Sequence, residues 1–371
     1  MKIGIDIHTI SGMPQGSKTY IQNLLRELAK VDADNEYYLY STEKISSSYG
    51  KKFFHRIIKP KSSIIRIPLS FPLSLKRDSI DIFHCLYIAP PLCPCKYVVT
   101  IQDILFESYP DLFPAKQRVI FSKLVHLTAK RAEHILTCSE YSKNDIYKRY
   151  NIPLDKITVT HHGVDKIFAK IDDKNRLNDF RIQHKLPHKF ILFVGRIEPR
   201  KNIPILIDAY ADLLKQNKIK HDLVIVGPKD FGYKKTFEKV KQYGIEKKVL
   251  FTGPIENKNL PYIYNMADLF VYPSIAEGFG IPPLEAMACG TPVVTSNTTS
   301  LPEVVGNGAI TVNPFDIKSL SNAIITLINN GDIRNKYIKS GFERAKLFSW
   351  EKSAKKTLKI YERVYRKLGL S

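Results

Sequence analysis

The stretch "FILFVG" (190–195) is a run of five apolar residues that ends in a glycine. Such a run is typical of a strand buried on both faces of a parallel sheet, and the glycine opens the loop that follows. The stretches "DLVIVG" (222–227) and "KVLFTG" (248–253) repeat the pattern, and "DLFVYP" (268–273) and "PVVTS" (292–296) continue it. Strands of this kind that alternate with helical stretches predict a parallel α/β domain.

The first half of the chain shows the same alternation. Its predicted strands lie at 2–7, 37–40, 81–84, 97–101, 135–138 and 157–160. Its predicted helices lie at 17–30, 115–132 and 140–149. The two sets of strands and helices predict two Rossmann-like domains.

A polar stretch without a strong period separates the two sets and predicts a linker at 169–188, with at most one short helix. The predicted domains are therefore 1–168 and 189–351. Residues 352–371 carry apolar side chains at helical spacing and predict a C-terminal helix. Ligands of open parallel sheets bind beyond the carboxyl ends of the strands, so we expect the site in a cleft between the two domains.

The composition is that of a folded protein: of 371 residues, 44% are hydrophobic and 25% are charged. No apolar run approaches the ~18 residues of a membrane span, and the N-terminus is too short and too charged for a signal peptide. The five scattered cysteines favour a reducing cytosol over a disulfide framework. The net charge of +21 indicates anionic partners, but no zinc-finger, RRM or basic-zipper signature supports a nucleic acid.

The first loop, "SGMPQGSKTY" (11–20), resembles a Walker loop only superficially. A Walker loop has four residues between its first glycine and Gly-Lys-Ser/Thr. Here only three residues separate Gly12 from Gly16, and Ser17 stands where the second glycine should be. The spacing therefore argues against an ATP-binding loop and leaves a tight strand-to-helix turn or a different phosphate-side loop.

The stretch "PSIAEGFGIPPLEAMACGTPVVTS" (273–296) predicts a strand, a glycine-rich loop and a helix. Pro282 suits the first helical turn. Glu277 then lies before the helix and Glu285 lies inside it, near backbone N–H groups that can bind an anion. Taken singly, Glu285 is better explained as a partner of the helix dipole and Glu277 as a surface residue of a loop. The combination predicts a site.

The stretch "VGRIEPRKN" (194–202) places Arg196 and Lys201 directly after a predicted strand. A guanidinium and an ammonium group suit a diphosphate that carries two or more negative charges. The alternative is a solvated basic loop.

The chain resembles the retaining GT4-type glycosyltransferases of GT-B fold in a series of motifs. In order, these are "GRIEPRKNI", "FTGPI", "YPSIAEGFGIPPLEAMACGTPVVTS", "LPEVVG" and "FSWEKSA". In the first half, "TIQDILFESYPDLFP" and "ILTCSEYSKNDI" are similar to members that use GDP-mannose or related donors. The resemblance implies an α/β GT-B fold, with two Rossmann-like parallel-sheet domains facing each other across a cleft and the C-terminal helix crossing back to the first domain.

The resemblance also implies a role for each matched residue. Arg196 and Lys201 would hold the nucleotide diphosphate. Glu277 would bond the hydroxyls of the donor sugar, and Glu285 would bond the ribose. The other donor-binding residues that it implies are Gly12, Gly16, Gly195, Gly227, Ile255, Phe279, Gly280, Ile281 and Leu284.

On the acceptor side, this chain departs from many relatives. They carry His before the aspartate of the first-domain motif, whereas this chain has Gln102-Asp103. An amide can hydrogen-bond a hydroxyl group but cannot shuttle a proton. Asp103 is therefore the catalytic candidate on this side.

No metal or other cofactor is expected. The one Asp-x-Asp match, Asp32-Ala-Asp34, follows the first predicted helix and is interpreted as a solvated turn. Arg196, Lys201 and a helix N-terminus can supply the positive charge that a metal would provide.

The expected function is transfer of a hexose, mannose from GDP-mannose, onto a glycan or lipid-linked acceptor in surface polysaccharide synthesis. A UDP-sugar donor would leave every motif unchanged. One alternative of another class is a nucleotide-sugar-binding protein without transferase activity, against which the intact Glu277, Arg196 and Lys201 argue. The other is a nucleic-acid-binding protein, which would explain the net charge but should interleave its cations with exposed aromatic residues on one face.

The expected location is the cytoplasm, at the cytoplasmic face of the membrane. Residues 51–77 are rich in Lys and Arg, contain no Asp or Glu, and mix these cations with Phe, Ile and Leu. Such a stretch can bind an anionic membrane surface. The competing interpretation is that its apolar residues belong to the core.

Overall fold

The computed structural model of the protein describes residues 1–11, 16–45, 47–367 and 369, so Gly12 lies outside the described residues. The chain divides into two compact units. Unit 1 contains Met1–Gly163 and Ser349–Ser371, and unit 2 contains Val164–Phe348. Each unit is built around its own parallel sheet, which confirms the predicted α/β class with two Rossmann-like domains.

The strands of the two sheets are, in chain order, β1 (Lys2–Asp6), β2 (Glu36–Ser41), β3 (Phe53–Ile57), β4 (Ile82–Leu86), β5 (Lys96–Thr100), β6 (His134–Thr137), β7 (Ile157–Val159), β8 (Phe190–Val194), β9 (Asp222–Val226), β10 (Val249–Gly253), β11 (Leu269–Tyr272), β12 (Val293–Ser296) and β13 (Ile310–Val312). The sheet of unit 1 has the order β3-β2-β1-β4-β5-β6-β7, and that of unit 2 has the order β10-β9-β8-β11-β12-β13.

The α-helices are, in chain order, α1 (Gly16–Val31), α2 (Ser63–Ile65), α3 (Phe71–Arg77), α4 (Leu105–Ser108), α5 (Ala115–Arg131), α6 (Glu140–Tyr150), α7 (Lys174–Gln183), α8 (Ile203–Lys215), α9 (Lys234–Gln242), α10 (Leu260–Met266), α11 (Ile281–Ala288), α12 (Leu301–Val305), α13 (Ile317–Asn329), α14 (Gly331–Ala345) and α15 (Trp350–Arg366). Across the described ranges, we find no helix with the length and apolar character needed to cross a bilayer.

Two strands, β3 and β13, are absent from the predicted set, and both lie at a sheet edge. An edge strand pairs on one side only and needs no continuous apolar run. Accordingly, β3 is only half-buried along its length, and β13 has three residues. The predicted strands all overlap observed ones. Most of them, such as β4 and β8, have apolar runs that are buried on both faces of a parallel sheet, and the edge strands β7 and β10 were also predicted.

The stretch predicted as a linker, 169–188, carries α7 and lies within unit 2. Asp173 caps the N-terminus of this helix, and its carboxylate accepts a hydrogen bond from the backbone N–H of Arg176 at 3.0 Å. The ring of Phe180 stacks on Tyr262 of α10 with 4.8 Å between ring centroids. One buried aromatic residue on an otherwise polar helix gives almost no periodic signal, which explains why the sequence indicated a linker here.

The C-terminal helix α15 belongs to unit 1 and packs against α1. A buried chain of polar groups joins it to the sheet. Tyr361 Oη lies 2.5 Å from His84 Nδ1, His84 Nε2 lies 2.7 Å from Thr100 Oγ1, and the hydroxyl of Tyr20 on α1 lies 3.0 Å from the same Thr100 atom. Burial lowers the pKa of His84 to about 3, so its ring is neutral and can donate from one nitrogen and accept at the other.

In unit 2, β8 is paired on one side with β9 and on the other with β11. The connections after β8 and after β11 therefore depart to opposite sides of the sheet, which is the topological switch point of an open α/β fold. On one side of this switch point, the backbone that follows β8 passes close to the backbone that follows β9. A Cβ atom added to Gly227 would lie 2.0 Å from the carbonyl oxygen of Gly195, and Gly227 has a φ of +143°. Glycine alone fits this position.

We expect Gly227→Ala to destabilise the protein by about 3 kcal/mol or more, because the new methyl group collides with backbone that cannot move aside. Urea unfolding of the two proteins would measure the difference. Gly331→Ala is the matched control, since a Cβ there meets no atom within 4 Å. Equal stability of Gly227→Ala and the wild type would contradict the close approach of the two strand ends.

Candidate active site

The loops that follow β8 and β9 are joined by backbone hydrogen bonds. The N–H of Ile197 donates to the carbonyl oxygen of Pro228 at 2.9 Å, and the N–H of Asp230 donates to that of Ile197 at 3.2 Å. This pairing brings the guanidinium of Arg196 into an ion pair with the carboxylate of Asp230. Both side chains are partly exposed, so the Arg196 guanidinium lies at the surface of the strand-end edge.

The loop after β8 then forms a 3₁₀ turn at Pro199–Lys201 and meets the loop after β11. The backbone N–H of Ile275 donates to the carbonyl oxygen of Arg200 at 2.9 Å. The two cations of the turn converge on one carboxylate. Lys201 Nζ donates to Glu277 Oε1 at 2.7 Å, and Arg200 Nη1 donates to Glu277 Oε2 at 2.6 Å.

Glu277 and Lys201 are both buried. Burial by itself would raise the pKa of Glu277, but the adjacent Arg200 and Lys201 lower that pKa to about 2. Burial, and next the neighbouring Arg200, lower the pKa of Lys201, whereas Glu277 raises it. The ammonium group also donates to the hydroxyl of Tyr272 at 2.5 Å and lies over its ring. Glu277 is therefore an anion at neutral pH, held in one orientation by two cations.

The backbone around Glu277 is fixed from both sides. The hydroxyl of Ser300 donates to the carbonyl oxygens of Glu277 and Phe279 at 2.8 and 3.0 Å. The N–H of Glu277 donates to Thr299 Oγ1 at 3.0 Å, and Arg200 donates to the carbonyl oxygen of Ala276 at 2.9 Å. The loop therefore presents the carboxylate from a rigid support.

The loop ends at Gly280, where α11 begins. Gly280 has a φ of +98°, and a Cβ there would lie 2.7 Å from Leu301 Cδ2, so the position requires glycine. Ile281 is the first helical residue and is half-buried. The side chains of Phe279 and Leu284 are buried in unit 2, which leaves their backbone atoms as the groups that can face a ligand.

Glu285 lies on α11 and is buried. Its Oε2 accepts a hydrogen bond from the hydroxyl of Tyr264 on α10 at 2.9 Å. The pKa of Glu285 is raised to about 7, chiefly by burial. The hydrogen bond from Tyr264 lowers this pKa, and the nearby Asp165 raises it. The environments of Glu277 and Glu285 therefore shift their pKa values in opposite directions.

The remaining predicted positions of unit 2 lie in other strand-end loops. Gly195 follows β8 directly and donates its N–H to the carbonyl oxygen of Val226 at 2.9 Å. Ile255 is half-buried in the loop that follows β10.

In unit 1, the predicted residues lie after β5 and at the start of α1. Asp103 is half-buried and accepts a hydrogen bond at Oδ1 from the N–H of Leu105 at 3.2 Å. Gly16 is the first residue of α1, and a Cβ there would lie 3.8 Å from Gln102 Oε1. The structure thus brings Gly16 next to the Gln102-Asp103 pair at one edge of the sheet.

At the end of β1, the same unit holds an ion pair that has no assigned role in the sequence motifs. His8 Nδ1 lies 2.8 Å from Asp6 Oδ1, and this carboxylate raises the pKa of His8, although burial opposes the shift. His8 is thus a second titratable group at the strand-end edge of unit 1.

The predicted solvated turn at Asp32 also has a structural role. Its carboxylate accepts hydrogen bonds from the backbone N–H of Asp34 and from the side chains of Asn35 and Tyr37. Within the ranges that the structure describes, no group of three or more His, Cys, Asp or Glu side chains is arranged to hold a metal ion.

Two family models match the chain. The glycosyl transferases group 1 model covers residues 175–344, and the Glycosyltransferase Family 4 model covers residues 14–166. The O-antigen chain mannosyltransferase B of Escherichia coli is 32% identical over 265 residues, which are 71% of this chain and 70% of that protein. The chain belongs to the group 1 glycosyltransferases.

Other relatives of this glycosyltransferase agree with that assignment. The O-antigen chain mannosyltransferase RfbU of Salmonella typhimurium is 37% identical over 230 residues, which are 61% of this chain and 59% of that protein. Among solved structures, a sucrose-phosphate synthase from Thermosynechococcus elongatus matches with a TM-score of 0.78 over 99% of both chains at 21% identity. Anabaena Alr3699/HepE in complex with UDP and glucose matches with a TM-score of 0.77 over 98% of this chain and 100% of that one, at 19% identity. These likenesses establish the GT-B fold.

Sequence reasoning grouped Arg196 with Lys201 and Glu277. The structure brings Lys201 and Glu277 together, but the second cation on the carboxylate is Arg200, and Arg196 pairs with Asp230. Arg200 lies beside Lys201 in "EPRKN", so the signal was present, but neither residue type nor spacing tells which cation of the loop faces inward. Tyr264 was also missed, because it lies 21 positions from Glu285 on another helix.

We expect Arg200→Ala in this glycosyltransferase to move the acid limb of the pH–turnover profile to higher pH. The ionised Glu277 would lose one of its two cations, so its pKa would rise from about 2 towards the ordinary 4.5. Turnover measured across the acid range would show the shift, and Arg200→Lys should restore much of the wild-type profile.

Arg196→Ala is the matched control for this experiment, since Arg196 pairs with Asp230 and not with Glu277. That variant should lose turnover without moving the acid limb. An unchanged acid limb in Arg200→Ala would mean that Arg200 does not hold Glu277 in its ionised state.

The raised pKa of Glu285 predicts a pH-dependent stability. A carboxyl group whose folded pKa of about 7 exceeds its ordinary 4.5 binds protons more tightly when folded, so its contribution to stability falls as pH rises through this window. We compare the free energy of unfolding of Glu285→Gln with that of the wild type. This difference should be about 3 kcal/mol more favourable to the variant above about pH 7 than below about pH 4.5. Urea unfolding at both pH values would test this, with the exposed Glu246→Gln as control. A stability difference that is the same at both pH values would be inconsistent with a buried, protonated Glu285.

Proposed function

We propose that this glycosyltransferase transfers a hexose, mannose from GDP-mannose, with retention of configuration, onto a glycan or lipid-linked acceptor in surface polysaccharide synthesis. The observation that carries the proposal is the buried Glu277 carboxylate, held by Lys201 and Arg200 at the switch point of the sheet. Two relatives named O-antigen chain mannosyltransferases support the choice of mannose and of the acceptor class.

Each group of unit 2 has a part in this proposal. When the bond between the sugar and the diphosphate breaks, the electron pair leaves with the diphosphate, and positive charge develops on the sugar ring. Arg196 and Lys201 stabilise the leaving diphosphate, and backbone N–H groups of Phe279, Gly280 and Ile281 contact the donor. Glu277 faces the sugar as an anion, because a carboxyl group with a pKa of about 2 cannot act as a general acid at neutral pH.

Glu285, Ile255 and Leu284 complete the donor site in this proposal. Glu285 hydrogen-bonds the ribose, and its pKa of about 7 means that both of its protonation states are populated near neutral pH. Ile255 lines the nucleotide pocket, whereas the side chain of Leu284 is buried in unit 2. Gly195 and Gly227 keep the strand ends open to the phosphates, because a side chain at Gly227 would collide with the neighbouring loop.

On the acceptor side, Asp103 is the proposed catalytic residue, and Gly12 and Gly16 are proposed as the residues that let the first loop contact the phosphates and the acceptor. Gln102 can hydrogen-bond an acceptor hydroxyl without moving a proton. The reaction is proposed to need no metal, since Arg196, Lys201 and the N-terminus of α11 supply the positive charge. The proposed location is the cytoplasmic face of the membrane, with the basic stretch 51–77 towards anionic lipid.

The first test is a panel of nucleotide sugars, with donor hydrolysis and transfer scored by mass spectrometry. GDP-mannose is expected to be consumed. Consumption of a UDP-sugar in its place would keep the enzyme class and overturn the donor. No turnover with any donor would overturn the proposal in favour of a nucleotide-sugar-binding protein.

The second test separates the roles of two site residues. Arg196→Ala should lower turnover about 100- to 1,000-fold and also weaken nucleotide binding, because the ground-state diphosphate already carries negative charge. Glu277→Gln keeps the shape but removes the charge that faces the sugar, so it should lose turnover while retaining affinity for the free nucleoside diphosphate. Calorimetry with the nucleotide, beside turnover with the full donor, distinguishes the two patterns. Near wild-type transfer by Glu277→Gln would refute its assigned role.

A further inference from the structure

Helix α5 exposes apolar side chains where a surface helix ordinarily exposes polar ones. Val125 and Ala129 are buried against the sheet. The opposite side carries four exposed apolar residues, which are Val119, Ile120, Leu124 and Leu127. Ile120, Leu124 and Leu127 are spaced by four and three positions and therefore lie on a single side of the helix, with Val119 at the edge of that side.

The segment that contains α2 and α3 has the same character. Phe71 and Leu75 are buried, whereas Ile64 is 83% exposed and Leu73 is 71% exposed. Ile65 and Leu69 are also exposed. The stretch 51–77 was interpreted either as membrane-facing or as core. In the structure, Phe71 and Leu75 belong to the core, β3 is half-buried apart from the exposed Ile57, and the outer apolar residues are exposed.

Both segments turn their apolar side chains in the same direction. Phe71 and Leu75 of α3 and Val125 and Ala129 of α5 belong to one core cluster on one face of the sheet of unit 1. Because the buried sides meet the same sheet face, the exposed sides point away from it together. Leu92, which is 81% exposed, lies beside the end of α5, where Arg131 donates to the carbonyl oxygen of Pro91 at 3.3 Å. We call the exposed side of α5, of the 63–77 segment and Leu92 the basic apolar face.

The charges on this face are of one sign. Neither α5 nor residues 51–77 contain an Asp or Glu. The exposed side of α5 includes Lys123, Lys130 and Arg131, and Lys59 and Lys76 are exposed beside α2 and on α3. Apolar side chains surrounded by cations match a leaflet of anionic lipid, in which the apolar groups enter the acyl boundary and the cations meet the phosphates. A second copy of the chain would instead bring these cations against each other.

We infer that the basic apolar face docks this glycosyltransferase on a membrane leaflet that contains anionic phospholipid. The inference rests on the membrane partner of the proposed function and assigns the residues that bind it, including α5. It orients unit 1 with the α3 and α5 side of its sheet towards the lipid and the α1 and α15 side away from it.

Vesicle sedimentation tests this inference with phosphatidylcholine alone and with phosphatidylcholine mixed with phosphatidylglycerol. The wild type should bind the anionic vesicles at least about tenfold more tightly, and added salt should weaken that binding. Ile120→Glu and Leu73→Glu should each lower the partition coefficient about tenfold, since each removes an inserted apolar group and adds a repelled charge. Phe315→Glu in unit 2 is the matched control, because Phe315 is 68% exposed and Ile120 is 67% exposed, and it should bind like wild type.

Circular dichroism and lipid-free donor hydrolysis should be unchanged in all three variants, since the substituted side chains are exposed and none belongs to the donor site. Equal wild-type binding to neutral and anionic vesicles would overturn the inference, and so would equal loss of binding in Phe315→Glu. A lipid-free dimer that Ile120→Glu converts to a monomer in analytical ultracentrifugation would make a second copy the occupant instead. Absence of donor turnover in the wild type would refute the proposed function and leave the vesicle result standing.

Discussion

The carboxylate of Glu277 is buried in unit 2, and it remains ionised there because Arg200 and Lys201 each donate to one of its oxygens. An isolated buried charge would be strongly unfavourable, so the three side chains constrain one another. The contact also joins two loops that are 76 positions apart in the chain. These loops follow β8 and β11, which are neighbours in the sheet. The strand order therefore brings these three charged side chains together and so forms the site.

The two glutamates of the motif show how strongly local environment separates identical side chains. Glu277 and Glu285 are both buried, yet the pKa of the first is lowered to about 2 and that of the second is raised to about 7. The difference arises because two cations contact Glu277, whereas Glu285 is contacted by a hydroxyl and lies near a carboxylate. Opposed pKa values among the carboxyl groups of a site often accompany different roles for those groups. Glu277 is a permanent anion, and Glu285 changes its charge near neutral pH.

The helices that cover the two faces of the sheet in unit 1 differ in what they leave exposed. On one face, α1 and α15 pack together, and Tyr361 joins a buried polar chain to His84. On the other face, α3 and α5 cover the sheet with their inner sides and leave apolar residues outside. A helix that is apolar on both sides is not explained by the core of a soluble domain alone. The core needs only the inner side, and the outer side forms the basic apolar face.

The sequence by itself determined the fold class and most of the strands, because strands buried on both faces need continuous apolar runs. It also determined where the site residues lie along the chain, since Glu277, Lys201 and Arg196 all directly follow such runs. It missed β3, which is half-buried at a sheet edge, and β13, which has only three residues, and it allowed one short helix in the predicted linker, where α7 lies. Only the tertiary structure decided that Arg200 contacts Glu277 and that Arg196 contacts Asp230. Pairing of charges depends on which loops the sheet brings side by side, and a one-dimensional pattern records the charges without recording that geometry.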